Sequence, residues 1–248
     1  MKDIRKYLDS TYLKTAEQEG MSPEEHAAKV KDFIREAIDE GFYLVMVRPE
    51  YVPMARRMID EAGADVKVGT VIDFPQGTSH WLKKLEEAKK AIADGADELD
   101  FVVNYEAFKK GDINTVKKEV FEGSLLALKN GKVAKWIIEA AALTDDQIAA
   151  LTRLIRDTVL QTLGLRAADK VFVKSSTGFY KTEDGKPSGA TEHNIKIMLE
   201  NAAPLPVKAA GGIRTYDDAV KMIEMGVKRI GTSSAKKIAS GQTADGDY

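Results

Sequence analysis

Eight times along the 248-residue chain, a short apolar run gives way to a longer stretch with helical spacing. This alternation constrains the fold more than any other feature. The runs cover residues 7–13, 42–48, 66–74, 98–104, 136–139, 171–174, 205–210 and 228–232. Most are solidly apolar rather than half-polar, as parallel strands covered by helices are. Parallel neighbours cannot be joined by a tight turn, so each connection has to carry a crossover element. Ser22-Pro23-Glu24-Glu25 supplies an N-cap, a proline in the first turn and an acid three residues after the cap. Val30, Phe33, Ile34, Ala37 and Ile38 then repeat at helical spacing up to Gly41. Thr144-Asp145-Asp146-Gln147 opens a second helix in the same way, and Thr215 caps another. Helices are also expected over 49–62, 79–94, 114–129 and 191–202, with a short last one opened by Ser233-Ser234. Eight such units predict an α/β protein, a single closed (β/α)8 TIM barrel over residues 1–248. Its Gly-, Ser- and Asp-rich tail, from about residue 239, is expected to be mobile. The competing architecture is an open doubly wound sheet, whose usual Gly-x-Gly-x-x-Gly after the first strand is missing.

Composition excludes more than it assigns. Lys and Arg number 37 against 39 Asp and Glu, a formal net charge of −2. Nothing global therefore points to nucleic acid or an anionic membrane, and an anionic substrate needs a local cationic site. There is no cysteine, so neither a disulfide frame nor a thiolate metal site is expected, which is compatible with a cytoplasmic location. The N-terminus lacks the apolar segment of a signal peptide, and no run is long enough to span a bilayer. His26, His80 and His193 lie far apart, none at an inward strand end, so no metal is expected.

Barrel enzymes place reactive groups at the C-terminal ends of their strands, so polar residues on inward strand faces are the candidates. Val171-Phe172-Val173-Lys174 is a strand that ends on a lysine and breaks into Ser175-Ser176-Thr177-Gly178. Phe172, Lys174 and Ser176 share a face. If that face is enclosed, burial disfavours the charged amine, and a neutral amine attacks carbonyls. A lone lysine at a strand end is more simply read as solvated. Lys208, however, takes the same kind of position in 205–210, and Asp100 interrupts 98–104 on the face of Glu98, Val102 and Asn104. Asp9, on one face with Thr11, and Glu139 are weaker candidates, each more simply a structural ion pair. Ionisable groups on four or five strands of one barrel are harder to explain structurally, because each is costly to bury uncompensated. A second ammonium near Lys174 further disfavours its protonation, and Asp100 can orient Lys208 and relay protons. The combination suits Schiff-base chemistry.

Gly211-Gly212 follows the seventh strand, and Gly231-Thr232-Ser233-Ser234 ends the eighth. Either motif alone is a turn or a cap. Together they fall where barrels present backbone N–H groups to a phosphate.

The motifs 173–179, 207–215, 96–100 and 229–234 resemble those of deoxyribose-phosphate aldolase, a class I aldolase family, with a likeness running from about residue 8 to the C-terminus. The resemblance implies that Lys174 forms the Schiff base, Lys208 perturbs its pKa and Asp100 joins a proton relay. It implies that Asp9 and Thr11 lie near the substrate and that Gly211, Gly212, Gly231, Ser233 and Ser234 bind phosphate. Thr177 and Gly178 join the substrate-binding set, and Tyr248 assists protonation of the enamine. It further implies small phosphosugar and aldehyde substrates and no cofactor, with a homo-oligomer, dimer or tetramer, left open. The departures are Ser10 for His, Met46 for Cys, Asp73 for Gly or Asn, the plain Ala140-Ala141-Ala142 run and a long loop at 180–188. Another phosphosugar aldolase on the same barrel, or a non-catalytic phosphosugar-binding barrel, are the alternatives.

Overall fold

The computed structural model describes residues 3–182 and 187–241. Within them the apolar runs are strands, each hydrogen-bonded in parallel to its neighbours in chain order: β1 (Leu8–Tyr12), β2 (Leu44–Val47), β3 (Lys67–Ile72), β4 (Glu98–Val102), β5 (Val133–Ile137), β6 (Val171–Lys174), β7 (Val207–Ala210) and β8 (Arg229–Thr232). β8 pairs back onto β1, with Leu8 opposite Ile230 and Ser10 opposite Thr232. The sheet closes into a (β/α)8 barrel with no free edge.

The helices form where their caps promise. α1 (Ala16–Glu19) and α2 (Pro23–Glu40) follow β1, and α3 (Val52–Ala62) and α4 (Trp81–Ala93) follow β2 and β3. α5 (Tyr105–Lys109) and α6 (Ile113–Lys129) follow β4, then come α7 (Asp145–Leu163), α8 (Glu192–Ala202), α9 (Tyr216–Met225) and α10 (Ala235–Ala239). Ser22, Thr144, Thr191 and Thr215 each close a reciprocal capping box with the side chain three residues on, satisfying two orphan N–H groups apiece. Among the described residues, no helix is long and apolar enough to cross a membrane.

Outside the barrel, Trp136 of β5 stacks on Phe101 of β4 with centroids 4.7 Å apart. Its Nε1 donates to Ser124 Oγ of α6 at 2.9 Å. α6 comes this close through Gly123, where a Cβ would lie 2.8 Å from the indole. Inside, the lining divides. Leu13, Leu44, Met46 and Val71 make an apolar wall on the side of β2 and β3. Gly69 leaves room for it, since a Cβ there would sit 2.6 Å from Met46 Cε. The remaining strands fill the interior with charge.

Most strand boundaries fall within a residue or two of the sequence reading, and the largest difference is at the start of β5. β5 begins at Val133, not at residue 136, and so carries Lys135 inward. Lys135 is fully buried yet paired, and that pairing lets a lysine occupy a barrel interior.

Candidate active site

Seven ionisable side chains from six strands meet inside the barrel, and register places them. Asp100 of β4 lies opposite Lys135 of β5, and Lys174 of β6 lies opposite Lys208 of β7. Asp100 is the hub. Its Oδ2 accepts from Lys174 Nζ at 2.8 Å and Lys208 Nζ at 2.9 Å, and its Oδ1 from Lys135 Nζ at 2.7 Å. Lys135 also reaches Glu98 Oε2 at 2.6 Å. Arg229 Nη1 donates to Glu98 Oε1 at 3.1 Å, and its Nε to Asp9 Oδ1 at 2.8 Å. Asp9 Oδ2 lies 2.6 Å from Lys208 Nζ. The contacts thus close a ring, Asp100–Lys135–Glu98–Arg229–Asp9–Lys208 and back to Asp100, with Lys174 pendant on Asp100.

The electrostatics follow from burial. Lys174 is 3% exposed. Burial disfavours its ammonium most, Lys208 and Lys135 add to that, and Asp100 opposes it, which leaves the amine pushed down to about 8. An amine of this kind is partly free at neutral pH, as a nucleophile toward carbonyls must be. Burial by itself would raise the Asp100 carboxyl. The three surrounding lysines outweigh it and hold the group well below the usual carboxylate range. Arg229, Lys208 and Lys135 likewise lower Asp9 against the opposing effect of burial.

The loop after β6 is fixed from both sides. Ser175 Oγ and Ser176 Oγ donate to Ala210 O at 3.1 and 2.5 Å, and Ser175 Oγ accepts from Ala210 N–H at 3.0 Å. Thr177 Oγ1 donates to Glu139 Oε2 and accepts from Phe179 N–H at 3.0 Å. Gly178 follows at φ 82°, a backbone position that suits glycine. Glu139 itself is buried at φ 53°, a strained conformation for a non-glycine residue. Burial pushes its carboxyl up to about 7, against the lowering by Thr177.

That shift has a measurable sign. A carboxyl whose folded pKa is raised adds stability below its ordinary value of 4.5, and the contribution is lost as pH rises through about 7. Its size is up to roughly 3 kcal/mol. Glu139→Gln should therefore gain stability over the unmodified chain between about pH 5 and pH 8. Urea denaturation at the two pH values reads the difference, and parallel behaviour of the two proteins would remove the assignment.

The sequence candidates from opposite ends of the chain come together only partly. Thr11, whose Oγ1 donates to Asp9 O at 2.8 Å, and Ser233 line one cavity of about 290 Å³ with Tyr12, Lys14, Glu19 and Lys29. Gly211 and Gly212 lie consecutively at φ 82° and 78°. A Cβ on Gly211 would stand 2.9 Å from Gly189 Cα. Gly231 lies in β8 against Lys208, where a Cβ would approach Lys208 Cε to 3.1 Å. Ser234 N–H donates to Thr232 Oγ1 at 3.0 Å ahead of α10. Tyr248 lies outside the described residues. A larger cavity of about 570 Å³, bounded by Ala140, Leu143, Tyr180, Thr191 and His193, includes none of the candidates. Among the described residues, no group of His, Asp and Glu is placed to hold a metal ion. Asp73, where the family pattern has Gly or Asn, adopts φ 54°, a conformation that Gly, Asn and Asp tolerate best.

Two functional-looking residues escaped the sequence reading, Lys135 and Arg229. Strand parity is the signal that finds them: Lys135 shares a face with Glu139, and Arg229 with Gly231.

Fold and site together define a barrel aldolase, with a buried amine at a strand end and a carboxylate beside it. The family model described as "DeoC/LacD family aldolase" matches residues 11–241. The chain belongs to that family. A deoxyribose-phosphate aldolase from Thermococcus gammatolerans is 42% identical over 240 residues, 96% of each chain. One from Streptococcus pneumoniae is 37% identical over 246 residues, 99% of each chain. Among solved structures, a tetrameric deoxyribose phosphate aldolase from Aeropyrum pernix superposes with a TM-score of 0.76 at 32% identity, covering 96% of this chain and 89% of that one.

Proposed function

We propose that the chain reversibly cleaves 2-deoxy-D-ribose 5-phosphate to D-glyceraldehyde 3-phosphate and acetaldehyde, with Lys174 as the Schiff-base nucleophile. The observation that carries this reading is the Lys174 amine, buried, lowered to about 8 and held on Asp100 beside Lys208. The free amine adds to the C1 aldehyde of the open-chain sugar, and loss of water gives an iminium. The C3 hydroxyl then gives up its proton through water held by Asp100 and Lys208. The C2–C3 bond breaks, its electron pair forms the enamine, and C3 leaves as the aldehyde of glyceraldehyde 3-phosphate. Protonation of the enamine carbon, assisted in this proposal by Tyr248, restores an iminium that water hydrolyses to acetaldehyde and free Lys174. Asp9 and Thr11, with Thr177 and Gly178, border the sugar. Gly211, Gly212, Gly231, Ser233 and Ser234 form the phosphate end, with backbone N–H groups as donors. The apolar wall of Leu44, Met46 and Val71 offers a hydroxyl no partner, which favours a carbon that lacks one.

The same reading takes residues 1–248 as one barrel domain with a tail from about residue 239. A cytoplasmic location goes with a phosphorylated sugar, since its charge keeps it from crossing bilayers unaided. A dimer or tetramer fits the tetrameric relative. Borohydride reduction in the presence of acetaldehyde tests the central claim. It should leave a two-carbon adduct on the peptide containing Lys174. An adduct on a different lysine, with Lys174→Ala still turning over, would overturn it.

A further inference from the structure

The ring around Lys174 contains three carboxylates and three cationic groups, so it is neutral without Lys174. Asp100, Glu98 and Asp9 alternate with Lys135, Arg229 and Lys208, and every adjacent pair is in contact. We propose that Lys135, Glu98 and Arg229 are positioning residues that ease loss of the Lys174 proton, by closing a self-neutral ring in which Asp100 is shared with two other cations and is no dedicated counter-charge for an ammonium at that position. This deepens the aldolase reading and rests on it for the role of Lys174.

The physical argument is a balance. A carboxylate touching Lys174 would ordinarily stabilise its ammonium. Asp100 is instead already shared with Lys135 and Lys208, both fully buried, and its charge is spent on them. Lys135 in turn is retained as a cation because it sits between Asp100 and Glu98, which raise its pKa against burial. Arg229 is held between Glu98 and Asp9 and lies over the Tyr43 ring, 3.6 Å from the centroid. Glu98 therefore has no charge to lend elsewhere. Two other groups face this cluster. The Tyr43 phenol is raised by burial and by Glu98, and so stays neutral. Glu139 is bound to Thr177 rather than to the ring, and its carboxyl at about 7 supplies only part of a charge at neutral pH.

The ring acts on the reaction as well as on the free amine. Forming the iminium puts a positive charge back on the Lys174 nitrogen. Among the described residues, the fully charged carboxylates near it are already paired within the ring, and Glu139 adds only part of a charge. Breaking the C2–C3 bond moves an electron pair toward that nitrogen and discharges it, so the uncompensated charge favours the neutral enamine over the iminium. Lys135 and Glu98 thereby influence cleavage without a direct role at the reacting atoms.

Carbon-13 NMR of the chain labelled at lysine Cε, with the Lys174 and Lys135 signals assigned by Lys174→Met and Lys135→Met, reads this without substrate. In the unmodified enzyme, Lys174 should titrate near 8, while Lys135 should not titrate with it. Lys135→Met leaves the ring with one excess negative charge. It should raise the Lys174 midpoint by about one unit or more and slow imine trapping with acetaldehyde at neutral pH about tenfold. Glu98→Gln leaves an excess positive charge and should lower the midpoint, and Lys135→Arg should restore it. The proposal is overturned if folded Lys135→Met leaves the midpoint unchanged, or if Lys135→Met and Glu98→Gln move it the same way. Should Lys135→Met not fold, the charge-keeping Lys135→Arg removes the same signal and assigns it, and the native titration still decides, because a Lys135 that loses its proton together with Lys174 overturns the ring. A borohydride adduct on another lysine would instead sink the aldolase role of Lys174 and leave the titration result standing.

Discussion

Lys174→Met should abolish turnover while leaving the barrel as stable as before, or slightly more so. The catalytic loss follows from removing the group that forms the covalent intermediate. No neighbour can replace it, since Lys208 and Lys135 are each engaged by two carboxylates. Losing a covalent nucleophile lowers kcat on the order of 10⁶-fold. The structural half is less usual. Removing one partner of a buried ion pair is generally damaging, because a charge is stranded. Here Asp100 keeps Lys135 at 2.7 Å and Lys208 at 2.9 Å, so no carboxylate is orphaned. Methionine has similar length and bends to fill the space, and it removes an ammonium that burial already disfavours. A retro-aldol assay paired with a thermal melt checks both halves. Residual turnover near the original level would show that another residue is the nucleophile. A large drop in Tm would show that Lys174 is a structural cation and not an ammonium that burial disfavours.

The difference between Lys174 and its neighbours also explains what the sequence made legible. The strands were readable because both faces of a parallel barrel strand are covered, and the resulting apolar runs stand out. Lys174, Lys208 and Asp100 were readable because each interrupts such a run. Lys135 and Arg229 do not interrupt anything. Arg229 opens its strand beside Lys228, and Lys135 lies in the mixed stretch Lys132-Val133-Ala134-Lys135 ahead of the apolar run, where a basic residue looks solvated. Only the register with β4 shows that Lys135 faces Asp100. Glu139 was legible as an inward residue, but not the backbone at φ 53° or the bond from Thr177. Both depend on where the loop after β6 returns, which no local pattern encodes. Lys84 of α4 is a further case, since helical spacing alone does not mark it as buried. Its ammonium donates to Gly77 O at 2.9 Å, Val102 O at 2.7 Å and Glu119 Oε2 at 2.6 Å, tying the loop after β3 to the end of β4 and to α6.

Asp100→Asn should have the opposite profile to Lys174→Met, losing stability and activity together. The carboxylate touches three buried ammonium groups. Replacing it with an amide of the same shape leaves Lys135 with Glu98 and Lys208 with Asp9, but opens the ring and gives it one excess positive charge. The amide nitrogen is also a donor, and it must face at least one lysine that needs an acceptor. Breaking a buried pair in this way costs about 3–5 kcal/mol at neutral pH, unless a lysine gives up its proton to relieve it. Turnover should fall about 10²- to 10⁴-fold with the loss of the proposed proton relay. The pH dependence separates charge from shape. The folded pKa of Asp100 is depressed, so its contribution is present above the ordinary value of 3.8 and is lost as pH falls through and below it. The stability gap between the unmodified chain and Asp100→Asn, measured by urea denaturation, should therefore be full at pH 7 and narrow as the pH falls below about 4. A gap that stays constant over that range would mean that the amide merely packs badly. In that case the charge on Asp100 would not be what holds the three lysines inside the barrel.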